Sequence, residues 1–150
     1  MCSINNFNSL FNAINNDYNY YKNVFNLTKY INNYNGDDWI KYIDYNTADY
    51  TIIKLLDYCN YDLEMAIICW CPNQVSEFRD HANNSCITKI LTGEIIENLY
   101  DYDYTLQNTT CVNENKVSFI EKHYGLHQLR AKTHAVSLHV YTTGKYHPFL

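Results

Sequence analysis

Ala135-Val136-Ser137-Leu138-His139-Val140-Tyr141 is the stretch on which the reading of this fold turns. From Val136 onward apolar and polar residues alternate, and β-branched or aromatic types supply three of the seven positions, which is the period-two signature of a strand. Val136, Leu138 and Val140 then share one face. Ser137, His139 and Tyr141 share the other. The apolar face needs a core to cover it. The polar face either meets solvent or lines the interior of a small barrel around a site.

Working outward, further strands read from Tyr50 to Leu56, Leu63 to Cys71, Ile87 to Leu91, Ile95 to Tyr100 and Val117 to Ile120. Thr92-Gly93-Glu94 joins two of them as a short turn with glycine where positive φ is wanted, a hairpin signal. Asp101 to Tyr104 reads as a solvated turn. The N-terminal third is different. Phe7, Leu10, Phe11 and Ile14 form one helical stripe, and Tyr21 to Ile31 predicts a second helix. Asn35-Gly36 marks a break, after which Asp37 caps a short third helix carrying Trp39, Ile40 and Ile43. The expectation is one domain over 1–150, helical over 1–48 and a barrel over 49–145. The fold class is α+β, mainly β: short helices packed on a small antiparallel barrel.

The chain has 150 residues, 47% of them hydrophobic and 18% charged, a globular rather than a disordered composition. Net charge is −5 with no basic stripe, which argues against nucleic acid and anionic membrane as partners. No apolar run approaches the ~20 residues of a spanning helix. The start has neither a basic nor an apolar signal region, so six cysteines read as reduced thiols in the cytoplasm rather than a disulfide framework. Cys69-Trp70-Cys71 is not a zinc-ribbon spacing. Cys59, Cys69 and Cys111 read as small buried hydrophobes.

Two blocks carry a family resemblance. The first holds Cys69-Trp70, Arg79-Asp80-His81, Cys86, Lys89 and Leu91-Thr92-Gly93. The second holds Gly125-Leu126-His127 and Ala135 to Tyr141. In these blocks the chain resembles the cysteine dioxygenase family, cupins that use ferrous iron. Trp39 and Tyr50-Thr51 are weaker likenesses. The resemblance implies a cupin (double-stranded β-helix) barrel and a reaction of L-cysteine, or a related small thiol, with dioxygen to give the sulfinate. It implies Fe(II) as cofactor, with His81 and His127 matching two of the three iron-binding histidines; neutral imidazoles suit that ion. Cys86 and Tyr141 match a pair that forms a thioether crosslink in many members. Ser137 and His139 match the groups that hold the tyrosine hydroxyl. By this resemblance Ser137, His139 and Tyr141 face inward.

Three departures stand beside the match. Arg79 occupies the position of the first iron histidine, and a guanidinium has no available lone pair to offer a metal. It either turns outward or binds the substrate carboxylate from the vacated place. Ile52 stands where the family has a carboxylate-clamping arginine, and Lys54 is expected to reach the site only through a slip or bulge. The segment after His127 is short and the chain ends at Leu150, so an incomplete barrel with open edges, covered by self-association, is expected. His123 reads as a substitute ligand or a surface residue; His134 and His147 read as loop and tail. The alternative function is a degenerate cupin that has lost iron and binds a ligand or protein. A third is a different metal reaction on two histidines.

Overall fold

The computed structural model describes residues 3–80, 85–120 and 125–143, with Arg79 and Asp80 described by backbone alone. Helix α1 runs Phe7–Tyr21 and buries Phe7, Leu10 and Ile14, the predicted stripe. Asn6 caps it, its side chain accepting from Ser9 N at 2.7 Å. Asp38 Oδ2 accepts from Phe7 N at 2.8 Å and satisfies another donor of the first turn. Lys22, at φ 53, ends the helix in the left-handed region. The predicted second helix is broken. Asn23 is extended and caps a 3₁₀ turn over Val24–Leu27, and only then does α2 form, over Thr28–Asn33. The third is a 3₁₀ turn at Ile40–Tyr42 rather than an α-helix. No described helix is long and apolar enough to cross a membrane.

Among the described residues nine strands follow: β1 (Thr51–Cys59), β2 (Leu63–Trp70), β3 (Arg79–Asp80), β4 (Cys86–Thr92), β5 (Ile95–Tyr100), β6 (Leu106–Val112), β7 (Val117–Ile120), β8 (Leu126–Ala131) and β9 (Ala135–Thr142). They form two antiparallel sheets, ordered β1-β2-β9-β4-β7 and β3-β8-β5-β6. Among the described residues no strand belongs to both sheets, so the expected barrel takes the form of two facing sheets rather than one closed one. The expected hairpin is corrected: a tight turn joins β4 to β5, but β4 pairs with β7 and β9 and β5 with β6 and β8, so the turn carries the chain from one sheet to the other. Gly93 sits there at φ +83, packed so closely on the backbone of His134 and Ala135 that a Cβ would collide with it.

β9 is central in the first sheet, and all eight of its residues are buried. Its apolar face, with Leu63, Met65 and Ile67 of β2 and Ile87 of β4, packs on Phe7, Leu10, Ile14, Leu27 and Ile31 of the helical layer. The opposite face of that sheet meets the second sheet through Ile68, Trp70, Ile90, Ile95, Val112, Leu129 and Ala131. The fold therefore has two apolar layers with the first sheet between them.

A buried cation ties the helical layer to the sheet. Lys89 on β4 is 2% exposed, and its ammonium donates to the carbonyls of Ile31 (3.2 Å), Asn32 (2.9 Å) and Tyr34 at the end of α2. The Ile31 carbonyl also accepts from the capping Tyr34 N–H at 3.2 Å; the last carbonyls of a helix are otherwise short of donors, and a cation at a helix C-terminus also complements its dipole. Burial pulls the Lys89 pKa below its ordinary value, and the carbonyls offset part of that desolvation. Lys89→Met keeps the aliphatic stem but takes this donor from the carbonyls, so a loss of about 3 kcal/mol is expected. Urea denaturation checks it, with the midpoint falling and the slope unchanged; an unchanged midpoint would show that the ammonium contributes nothing net.

Candidate functional site

The inward face of the first sheet carries the polar residues of β9. Register places Lys54, Ala66, His139, Thr88 and Ser118 in one row across all five strands. The adjacent row is Glu64, Tyr141, Cys86 and Ile120. Cys86 and Tyr141 are thus directly opposed across β4 and β9, which brings their Cβ atoms within roughly 5 Å.

Burial forces these groups to satisfy one another. Trp70 Nε1 donates to Ser137 Oγ at 3.0 Å, and Ser137 Oγ lies 2.7 Å from His139 Nε2. On the far side of the same ring, His139 Nδ1 is 3.2 Å from Thr88 Oγ1 and 3.4 Å from the Tyr141 hydroxyl. Cys86 Sγ lies 3.6 Å from Thr88 Oγ1 and 4.0 Å from His139 Nδ1. The His139 and Tyr141 rings are nearly parallel, at 11° with centroids 6.0 Å apart. An indole, two hydroxyls, an imidazole, a phenol and a thiol form one connected chain.

The second sheet supplies His127 on β8, which is 2% exposed. Gly125 precedes it at φ +134, where a Cβ would lie 2.6 Å from the Tyr100 carbonyl oxygen. Only glycine fits that approach, and it sets the register in which His127 opposes Leu99. Glu97 on β5 lies two positions along on the same face. Its Oε2 is 3.9 Å from His127 Nδ1, and both of its oxygens accept from Ser118 Oγ, at 2.9 and 3.1 Å. Ser118 belongs to β7 of the first sheet, so this bond spans the two sheets.

Lys54 corrects the expectation about its face. It opposes Ala66 in an unshifted stretch of β1, while the irregularity lies beyond it, between Lys54 and Cys59. Residues two apart share a face, so Lys54 lies on the site face beside Ile52 without a slip. Its ammonium is 3.0 Å from Glu64 Oε1, whose side chain is 2% exposed. Cys111 is also corrected: it is exposed, because β6 is an edge strand. Burial pushes the Cys69 thiol up. His134 lies in the loop before β9, edge-on to Tyr45 at 4.9 Å. His81, His123 and His147 lie outside the described residues. The backbone of Arg79 opposes His127 in the β3–β8 pairing.

Site residues that sequence reasoning missed are Thr88, Glu97 and Ser118. Thr88 is two positions from Cys86 on one strand, so alternation alone could have found it. Glu97 stands between the inward-facing Ile95 and Leu99, a polar break in an apolar face. Among the described residues no three His, Cys, Asp or Glu side chains are grouped to hold a metal ion. His127 suits a ferrous ion in donor type and burial, and its carboxylate neighbour is the usual companion of a ligating imidazole.

The fold agrees with what comparison with known proteins finds. The family model for cysteine dioxygenase type I matches residues 6–148. Cysteine dioxygenase type 1 of Danio rerio is 32% identical over 118 residues, covering 72% of this chain and 58% of that protein. The Homo sapiens protein of the same name is 29% identical over 114 residues, 70% of this chain and 56% of that one. This chain thus spans little more than half the length of these relatives. In fold, a cupin superfamily protein from Desulfitobacterium hafniense superposes with a TM-score of 0.59 at 10% identity, covering 72% of this chain and 90% of that one.

Ser137→Ala tests the buried chain. It leaves the Trp70 N–H and one face of His139 without a partner in a dry site, and a loss of about 3 kcal/mol is expected. Thermal unfolding and tryptophan emission check it. A variant as stable as the parent, with unchanged emission, would mean that the indole and imidazole repack at no cost.

Proposed function

This chain belongs to the cysteine dioxygenase family, and on that premise we propose that it adds both atoms of dioxygen to the sulfur of L-cysteine or a related small thiol. The balance is RSH + O₂ → RSO₂H. The observation that carries this reading is the opposition of Cys86 and Tyr141 across β4 and β9, backed by His139, Ser137 and Trp70.

In this reading His81 and His127 would hold the iron. A ferrous ion, when bound, supplies the one-electron redox chemistry that dioxygen requires. The chain supplies position and dryness. Tyr141 presents its hydroxyl to the reacting thiol, with His139 holding that hydroxyl at 3.4 Å and Ser137 fixing the imidazole from behind. Arg79, at the vacated ligand position, takes the substrate carboxylate; Lys54, leaning on Glu64, is a second cation on the same side. Burial of Cys86, His139 and Tyr141 keeps water from the reacting atoms. The reaction belongs in the cytoplasm, where substrate thiols stay reduced. Among the described residues β6 and β1 are edge strands, and such edges suit self-association.

A Cys86–Tyr141 thioether follows from the same reading. A sulfur–carbon bond replaces the S–H and a ring C–H, and dioxygen takes up the two hydrogens. A second reading, a cupin that binds without catalysis, is favoured by one observation: the residue opposing His127 is Arg79, which cannot ligate iron.

Protein purified anaerobically under reducing conditions after iron-replete expression separates the two. Near-stoichiometric iron and cysteine-dependent oxygen uptake yielding sulfinate are expected. Absence of iron would remove the enzymatic reading and leave the second. Arg79→His is expected to raise iron affinity severalfold or more; an unchanged affinity would show that position 79 does not address the metal. Intact mass of aerobically matured protein is expected to fall by two hydrogens, a loss that disappears in Tyr141→Phe.

A further inference from the structure

We infer that Glu97, anchored by Ser118, is a positioning residue that fixes the tautomer of His127. The inference rests on the reading of His127 as a metal ligand. It adds a second role to a bond that would otherwise serve only to fasten the two sheets.

The geometry is specific. Glu97 is largely buried, its side chain 13% exposed, and it lies on the inward face of β5 between Ile95 and Leu99. His127 opposes Leu99, and Leu129 opposes Glu97, so Glu97 and His127 are diagonal neighbours on one face of the sheet. The Ser118 hydroxyl reaches both carboxylate oxygens, at 2.9 and 3.1 Å, but carries a single proton. It therefore orients the carboxylate while leaving acceptor capacity unspent. The unspent side includes Oε2, 3.9 Å from His127 Nδ1. That is longer than a hydrogen bond, and a shift of about 1 Å would close it.

An ionised carboxylate only accepts. The imidazole edge that faces it is favoured as an N–H, so the proton resides on Nδ1. In the neutral ring the other nitrogen then carries the lone pair. A ring fixed in this way presents Nε2 as the donor without a tautomer change on binding. Groups in this position behind metal-bound histidines are typically worth ~10–100-fold in metal affinity. Ser118 acts one step further back. Without it the carboxylate loses its orientation but not its charge, so its removal has the smaller effect.

Two measurements test the inference, the first needing neither metal nor activity. Long-range ¹⁵N NMR of the metal-free protein, with the His127 signals assigned by their loss in His127→Ala, reads the tautomer directly. The Nδ1–H form is expected to dominate in the parent. Glu97→Ala is expected to shift the population toward Nε2–H, and Glu97→Gln, whose amide can still accept, to shift it less. Equal tautomer populations in the parent and Glu97→Ala would overturn the inference, as would an Nε2–H form dominating the parent.

The second measurement is anaerobic equilibrium dialysis with ferrous iron. Glu97→Ala is expected to weaken binding by roughly tenfold to a hundredfold, and Ser118→Ala by severalfold. Loss of binding in His127→Ala with full binding in both Glu97 variants would overturn the positioning role and leave His127 as a ligand. Full binding in His127→Ala would overturn the ligand reading itself. Should Glu97→Ala fail to fold, Glu97→Gln and Ser118→Ala carry the same comparison.

Discussion

Burial on both faces of β9 is the constraint on which the rest of the structure depends. A strand with no exposed side has no solvent to receive its polar groups, so each must find a partner inside the protein. The eight-residue pairing with β2 is unshifted, and this fixes which side of the sheet each residue faces. A slip of one position would send Ser137, His139 and Tyr141 into the helical layer and Val136, Leu138 and Val140 into the polar chain. Both faces would fail together, so the register is held twice.

That constraint sorts the charges of the interior. Lys89 lies on the helical side, where the end of α2 offers carbonyls that need a donor. Lys54, Glu64 and Glu97 lie on the other side, where ion pairing and a serine hydroxyl receive them. An ammonium in a dry layer is costly unless its protons are all spent. Three carbonyls meet that requirement at Lys89, and its role is architectural.

Much of this was legible in the sequence because period and burial coincide. The stripe of α1 and the alternation of β9 each announce a face, and Gly93 announces a tight turn, though one that passes between sheets rather than closing a hairpin. The remainder was hidden for physical reasons. β6 reads Leu106-Gln107-Asn108-Thr109-Thr110-Cys111-Val112, and as an exposed edge strand it needs no apolar face to mark it. β3 is only two residues long, too short to carry a pattern. The second predicted helix broke because Asn23 prefers to cap a tight turn with its side chain rather than continue a helix. Lys54 was misjudged by a step of parity, since residues 52 and 54 necessarily face alike. The Glu97–Ser118 bond joins strands of different sheets that never pair with one another, and no periodicity announces such a contact.

The site divides unevenly between the two sheets, and the division bears on what its residues signify. Cys86, Thr88, Ser137, His139 and Tyr141 belong to the first sheet, where they also satisfy the polar face of a fully buried strand. Buried together, they satisfy one another, so part of their role is to complete the interior of that sheet. His127 is different. It lies on the second sheet, and Gly125 secures its register by an approach that excludes any larger residue. Beside it stands a carboxylate held by a hydroxyl from across the interior. None of that is required to complete β9. The backbone of Arg79 pairs opposite His127, whereas the buried chain lies wholly on the first sheet. What separates the proposed chemistry from a merely completed interior therefore lies on the second sheet, in how His127 is presented and in the strand that pairs with it.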